Sequence, residues 1–310
     1  MTENNYNESK YLTQEQQQKY YLEQLKNNQQ ETETDQQSEN IKPGDYLGWY
    51  NRGNVLEDLG GYEEAFQAYE EALKIDPNQY EIWYNRGLVL GKLERCEDEI
   101  DSYDRSLAIE PNQYPAWYNR GIVLNDLGKH GEAVESFERA LEIESNRYEA
   151  WYNKGKSLTH LERYQEALES FKQALNINSE DSQAWNNLGV VLVNLEYYEE
   201  ALTAYDRALT IDSEKYYIWN NRGVALGHLG RYEEEVSSYN RALKLNPNYY
   251  QAWDNLGMAL MNLKDYQEGI KACKKALKIK PDDYQAWQNW RKLLKKIEKN
   301  KDPKQSQKKQ

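Results

Sequence analysis

The chain has 310 residues, 39% of them hydrophobic and 29% charged, with a formal net charge of −13. That balance argues against nucleic acid as the main ligand, because phosphate recognition needs a basic track. Residues 264–310 alone are basic, with fifteen Lys/Arg against six Asp/Glu, so the preceding body is strongly acidic.

Residues 1–45 are rich in Gln, Asn and Glu and offer little to bury, so disorder is the expectation there. One patch, Tyr20, Tyr21, Leu22 and Leu25, reads either as a short amphipathic turn or docking motif or as part of the same polar tail. No apolar run suited to a signal peptide or membrane span occurs in this stretch. The two cysteines, Cys96 and Cys273, lie five repeats apart, and helices stacked roughly 8–10 Å from one another put them beyond reach of a bridge within one chain, so a reduced, cytoplasmic protein without membrane insertion is expected.

Pro43-Gly44 marks the entry to the part that repeats. Trp49, Trp83, Trp117, Trp151, Trp185, Trp219, Trp253 and Trp287 follow one another at 34-residue spacing, and only Trp290 falls outside the series. A fixed period of this size means a tandem array of small units. Seven repeats are read at 46–79, 80–113, 114–147, 148–181, 182–215, 216–249 and 250–283. In the first, Trp49, Gly53, Leu56 and Leu59 make one helical stripe, Gly60-Gly61 breaks it, and Ala65, Tyr69, Ala72 and Leu73 make a second. Asp76-Pro77-Asn78 stops that helix. Pro111, Pro247 and Pro281 repeat the stop, while Ser145, Ser179 and Ser213 stand in the middle repeats.

A glycine recurs inside each first helix: Gly53, Gly87, Gly121, Gly155, Gly189, Gly223 and Gly257. Mid-helix glycine costs about 1 kcal/mol relative to alanine, so its recurrence implies a close helix approach, with Ala65, Ala133, Ala167 and Ala201 expected on the other side. Residues 284–299 give one more first-type helix, a polar-faced cap with Trp287 expected inward, and residues 300–310 form a basic tail expected to be disordered.

These residues resemble the tetratricopeptide repeat family, whose signature is Trp, then Leu-Gly, a small Ala, an aromatic and a Pro. The fifth repeat, with Trp185, Leu188-Gly189, Ala201, Tyr205 and Ala208, follows it closely, and the Trp-Tyr-Asn-Arg-Gly wording is similar to bacterial and cyanobacterial members. The resemblance implies an all-α, αα-hairpin solenoid, a right-handed superhelix with a C-terminal capping helix and first helices lining a concave groove. Two departures stand out. Arg52, Arg86, Arg120, Lys154 and Arg222 replace the leucine before the glycine, with stems expected on the neighbouring helix and charges in water. Glu99, Glu235 and Gly269 replace the small alanine, so those seams are expected to be looser.

Catalytic chemistry finds little support. Lys154-Gly155-Lys156-Ser157 is a degenerate phosphate-loop pattern, but it lies within a repeat helix rather than in a strand-to-helix loop. His130, His160 and His228 fall in different repeats, apart from cysteines and carboxylates at ligand spacing. Neither catalytic residues, metal ligands nor a cofactor are assigned, and Glu233-Glu234-Glu235 reads as a solvated helix edge.

A surface remains. Asn51, Asn85, Asn119, Asn153, Asn187, Asn221, Asn255 and Asn289 each follow a periodic tryptophan by two residues, although asparagine is a mediocre helix former. A similar asparagine ladder in superhelical members, such as the O-linked N-acetylglucosamine transferases, holds an extended peptide backbone. An amide offers both donor and acceptor for that task; the alternative is that these amides bridge helix to helix. Beside them stand Tyr50, Tyr84, Tyr118 and Tyr152, then Asn186, Asn220, Asp254 and Gln288. Leu88, Ile122, Val190 and Val224 share the face by helical spacing. The carboxylate clamp of heat-shock co-chaperones lacks its groove cations here, with Tyr50 and Asn119 in their places. The expectation is a non-enzymatic scaffold or assembly factor that binds a partner protein or extended peptide in the concave groove. The alternatives are a homo-oligomeric structural protein and, less favoured, the substrate-recruiting part of a larger enzyme system.

Overall fold

The computed structural model describes residues 41–301. Residues 1–40 and 302–310, where most of the expected tail disorder falls, lie outside the described residues. The described residues contain helices and turns with no strand: α1 (Tyr46–Asp58), α2 (Tyr62–Ile75), α3 (Tyr80–Lys92), α4 (Cys96–Ile109), α5 (Tyr114–Asp126), α6 (His130–Ile143), α7 (Tyr148–His160), α8 (Tyr164–Ile177), α9 (Ser182–Asn194), α10 (Tyr198–Ile211), α11 (Tyr216–His228), α12 (Tyr232–Leu245), α13 (Tyr250–Asn262), α14 (Tyr266–Ile279) and α15 (Tyr284–Lys301). The architecture is an all-α helical repeat. The described residues form two compact units, divided between Ala116 and Trp117. No helix among the described residues is long and apolar enough to cross a membrane.

Each odd-numbered helix up to α13 stops in the same way. Gly60, Glu94, Gly128, Glu162, Glu196, Gly230 and Lys264, 34 residues apart, all have positive φ, between 57° and 79°. The next residue's N–H then reaches back five positions, as Arg95 N does to Leu90 O at 3.0 Å and Tyr197 N to Leu192 O at 2.8 Å. This is the Schellman closure of a helix C-terminus. Glycine therefore marks the break in only three repeats of seven, because Glu and Lys take the same left-handed position elsewhere.

The periodic tryptophans pin the turns that precede them. The indole N–H of Trp83, Trp151, Trp185, Trp219, Trp253 and Trp287 donates to the carbonyl six residues earlier, at 2.8–2.9 Å. Those carbonyls belong to Pro77, Ser145, Ser179, Ser213, Pro247 and Pro281. Only the backbone oxygen is used, so proline and serine serve equally.

Six of the seven mid-helix glycines face aromatic rings sixteen residues on, rather than the alanines expected. A Cβ added at Gly53 would lie 2.4 Å from the Tyr69 ring, and one at Gly189 would lie 2.5 Å from Tyr205. Phe171 fills the corresponding place against Gly155, and Cys273 fills it against Gly257. Fully buried rings dominate the core for this reason, with Tyr69, Tyr103, Phe137, Phe171, Tyr205 and Tyr239 among its largest members.

The cations before the glycines are not left in water as expected. Arg86, Lys154 and Arg222 have side chains only 12%, 15% and 18% exposed. Each pairs with an acid sixteen residues back, Glu70, Glu138 and Asp206, at 2.5, 2.9 and 2.7 Å. Arg86, Arg120 and Arg222 also donate to Ser102, Ser136 and Ser238, sixteen residues forward, at 2.5, 2.6 and 2.8 Å. One guanidinium thus ties two second helices to the first helix between them in the repeats of Arg86 and Arg222.

Glu99 and Glu235 are buried, each beside a glycine that makes room for it. A Cβ at Gly91 would lie 2.8 Å from Glu99 Oε1, and one at Gly227 would lie 2.7 Å from Glu235 Oε1. Glu235 is thus no solvated edge, whereas Glu233 and Glu234 are exposed. At the far end, α15 turns Ala286, Asn289 and Leu293 inward. Trp287, expected inward, is 40% exposed, and among the described residues no second helix follows α15.

Candidate functional site

The asparagine ladder lies where consecutive first helices meet. In the second compact unit, α7 touches α9, α9 touches α11, α11 touches α13, and α13 touches α15. Along this row each amide donates to the residue 35 positions back. Asn153 and Asn187 Nδ2 donate to the hydroxyls of Tyr118 and Tyr152, at 3.2 and 3.1 Å. Asn221 and Asn255 donate to Asn186 and Asn220 Oδ1, at 2.9 and 3.0 Å. Asn289 donates to Asp254 Oδ2 at 2.8 Å. In the first compact unit, Asn85 Nδ2 lies 3.2 Å from the Tyr50 hydroxyl and 3.1 Å from Asn54 Oδ1. Asn119 is half-buried, and Asn51, on the first helix of the array, is exposed.

The change from tyrosine to asparagine to aspartate after the tryptophan is therefore a change of acceptor for one recurring bond. The sequence holds that signal as a 35-residue offset, one longer than the repeat. Two ends of the row fix which way the amides point, since a backbone carbonyl and a carboxylate only accept. Asn153 Nδ2 also donates to Glu149 O at 2.9 Å, and Asn289 faces the Asp254 carboxylate.

The tyrosines pack against the same aromatics that fill the glycine gaps. Tyr50–Tyr69, Tyr84–Tyr103, Tyr118–Phe137 and Tyr152–Phe171 have ring centroids 5.9–6.1 Å apart. All four ladder tyrosines are half-buried, as are Leu88, Ile122, Val190 and Val224. The first helices carrying Leu88, Ile122, Val190 and Val224 thus present, on one face, a polar rung and a partly accessible apolar side chain, whereas α1 and α7 have Asn54 and Lys156 at that place.

Burial shapes the electrostatics. It raises the phenols of Tyr118 and Tyr152, helped by the nearby charges of Glu149 and Asp181. It also raises the Asp254 carboxyl, against the lowering effect of its bonds from Asn289 and Cys273. The Cys273 thiol is pushed up to about 12 by burial and by Asp254 beside it. A thiol so raised stays protonated at neutral pH and is a poor nucleophile.

The stretch with the phosphate-loop pattern lies inside α7 and is engaged in packing. Gly155 abuts Phe171, Lys154 pairs with Glu138, and Ser157 Oγ donates to Asn125 Oδ1 at 3.0 Å. His130 and His160, distant in sequence, stack with ring centroids 4.5 Å apart, and His228 stacks likewise on Tyr198. Among the described residues no group of three or more His, Cys, Asp or Glu is arranged to hold a metal.

Models of the tetratricopeptide repeat match residues 114–147, 148–181 and 250–283, a related tetratricopeptide model matches 186–250, and a further TPR repeat model matches 53–94. No curated protein matches significantly. Among solved structures, YrrB, described as a TPR protein with an unusual peptide-binding site, superposes with a TM-score of 0.53 at 23% identity, over 61% of this chain and 97% of its own. The C-terminal part of a TPR repeat-containing protein from Cytophaga hutchinsonii gives 0.64 at 13% identity, over 77% and 98%. A tetratricopeptide repeat protein from Parabacteroides merdae gives 0.56 at 14%, over 81% and 100%. At these identities the likeness concerns the fold.

Proposed function

This chain belongs to the tetratricopeptide repeat family, and we propose that it is a non-enzymatic scaffold that binds an extended peptide segment of a partner protein along the face of its first helices. The observation that carries this reading is the strip of partly accessible apolar side chains, Ile122, Val190 and Val224, interrupted by Lys156 in the repeat between the first two and set beside the polar rungs. An alternation of apolar and hydrogen-bonding groups suits an extended backbone with side chains to either side. Fixed rungs favour the same end, because groups already held in place lose little entropy on binding. One hydrogen of each of Asn153, Asn187, Asn221, Asn255 and Asn289 serves a helix-to-helix bond, so the ladder's part in binding is to hold its neighbours in place and to offer the remaining amide groups. The peptide-binding site named for YrrB is consistent with such a role for this fold.

A photocrosslinking residue at Val190 or Val224 tests the proposal. It is expected to capture a partner segment that the same residue at Thr203, exposed on a second helix, does not. Equal capture at the two places, or capture only at Thr203, would place the partner elsewhere.

A further inference from the structure

The first helix of the array has a face that every later first helix buries. Val55 on α1 is 51% exposed, whereas its counterparts one or more repeats on, Val89, Val191 and Ala225, are 0% exposed. Leu59, next along the same stripe, is 50% exposed, against 38% and 36% for its counterparts Leu127 and Leu161. In α3 this face is covered by α2, the second helix of the preceding repeat, whose Leu73 shares a core with Val89. A repeat array needs a polar outer face where it ends, and α1 does not supply one.

Arg52 shows the same vacancy in charge. Arg86, Lys154 and Arg222 hold its place in later repeats, each paired to an acid on the preceding second helix. Arg52 lies over its own Trp49, 5.5 Å from the ring centroid, with Ala68 where later repeats have the accepting serine. Among the described residues the face thus has neither an apolar cover nor a carboxylate.

The chain itself arrives at this place. Ile41, the first described residue, packs on Gly48, where an added Cβ would meet Ile41 Cγ2 at 3.1 Å. Gly48 holds the position of Ile82, Ala150 and Ala184, all buried in their repeats. Upstream, Tyr21-Leu22-Glu23-Gln24-Leu25-Lys26 matches Tyr69-Glu70-Glu71-Ala72-Leu73-Lys74 at four of six positions. That second stretch is the end of α2 that covers α3. Eighteen residues separate Lys26 from Asp45. At up to about 3.3 Å per residue they exceed the roughly 20 Å length of α1, and closing such a loop adds only modest entropy.

We propose that the chain's own N-terminal segment docks on the open face of α1, with Tyr21 and Leu25 covering Val55 and Leu59. The array is then closed at its start by a partial repeat that composition alone hides among glutamines.

Hydrogen exchange of the full-length chain tests this, with Leu25→Asp, Val55→Asp and the two combined. Each single change should speed exchange across α1 by roughly ten-fold, and the double should exceed neither single by much, because both break one contact. Far-UV helix content should hold, since Val55 is already half exposed; if Val55→Asp unfolds α1, Val55→Ser takes its place. Unchanged exchange in the Leu25 variant, or effects that multiply in the double, would overturn the proposal. So would protection that rises with protein concentration alongside a dimeric mass in light scattering, which would assign the face to a second copy.

Discussion

The carboxylate of Glu235 occupies the space that a side chain on Gly227 would fill, with Oε1 2.7 Å from where a Cβ would stand. Glu99 stands in the same relation to Gly91. In the five other repeats the residue at the glycine's position is Glu57, Asn125, Thr159, Val193 or Met261, and the facing position holds Ala or Gly. The two departures from the family pattern at Glu99 and Glu235 are therefore paired exchanges of bulk across one seam.

That seam carries a pH dependence. Glu235 is 6% exposed, its Oε2 has no hydrogen-bond partner, and burial raises its carboxyl to about 7, against the lowering bond from Tyr239. A folded-state value above the unfolded one near 4.5 means stability that is full below pH 4.5 and lost as pH rises through 7. The loss expected is on the order of 2 kcal/mol. Glu235→Gln should remove this part of the slope and be the more stable protein at pH 8. His130, held low by burial and by His160, slopes the opposite way below pH 6.5, but both proteins share it, so their difference isolates Glu235. Parallel melting curves from pH 4.5 to 8 would show that the carboxylate is solvated.

The left-handed termini give a second prediction. Glu162 has φ 57° where Gly60, Gly128 and Gly230 serve in other repeats. Glycine meets that conformation without the side-chain penalty, although it loses more entropy on folding. Glu162→Gly should raise stability by about 0.5–1 kcal/mol in denaturant titration. A lowered midpoint would mean that the Glu162 side chain contributes more than its backbone costs.

The buried cations give a third. Where a repeat has Leu188 or Leu256 instead, the residues sixteen positions on are Ala204 and Ala272, and those sixteen back are Lys172 and Asn240. From the second repeat on, acid, cation and serine thus come and go together. Ser238→Ala should cost about 1 kcal/mol by leaving part of the Arg222 guanidinium without its acceptor. Combining it with Arg222→Leu should cost less than the two single changes summed. Strict additivity would mean that the serine and the arginine act independently.

Much of this was legible in the sequence, and the rest was hidden for identifiable reasons. The 34-residue tryptophan period located every helix pair, because one indole per repeat must clamp one turn. The choice of Pro or Ser in that turn carried no information, since only the carbonyl is used. The glycine's true partner was obscured because both candidates, an alanine twelve and an aromatic sixteen residues on, recur with the same period. The arginines suggested solvated charge because their acid and serine partners lie on two different helices, sixteen residues away in either direction. The asparagine ladder was visible as a pattern, but its bonds follow a 35-residue offset that a search at 34 passes over. Neither the identity of a partner nor its binding mode is written in any of these periodicities, which record contacts within the chain.

The claim that an extended partner segment lies along the first helices is tested most directly by its affinity for Val190→Asp combined with Val224→Asp. Both valines are half-buried on adjacent first helices. For the segment captured by crosslinking, binding measured by titration calorimetry should weaken by at least about ten-fold, or 1.4 kcal/mol, with the melting midpoint within a few degrees of the parent. Asn187→Ala, which removes the bond to Tyr152, should instead lower the midpoint and weaken binding only slightly. Full affinity in the folded Val190→Asp, Val224→Asp protein would contradict the account.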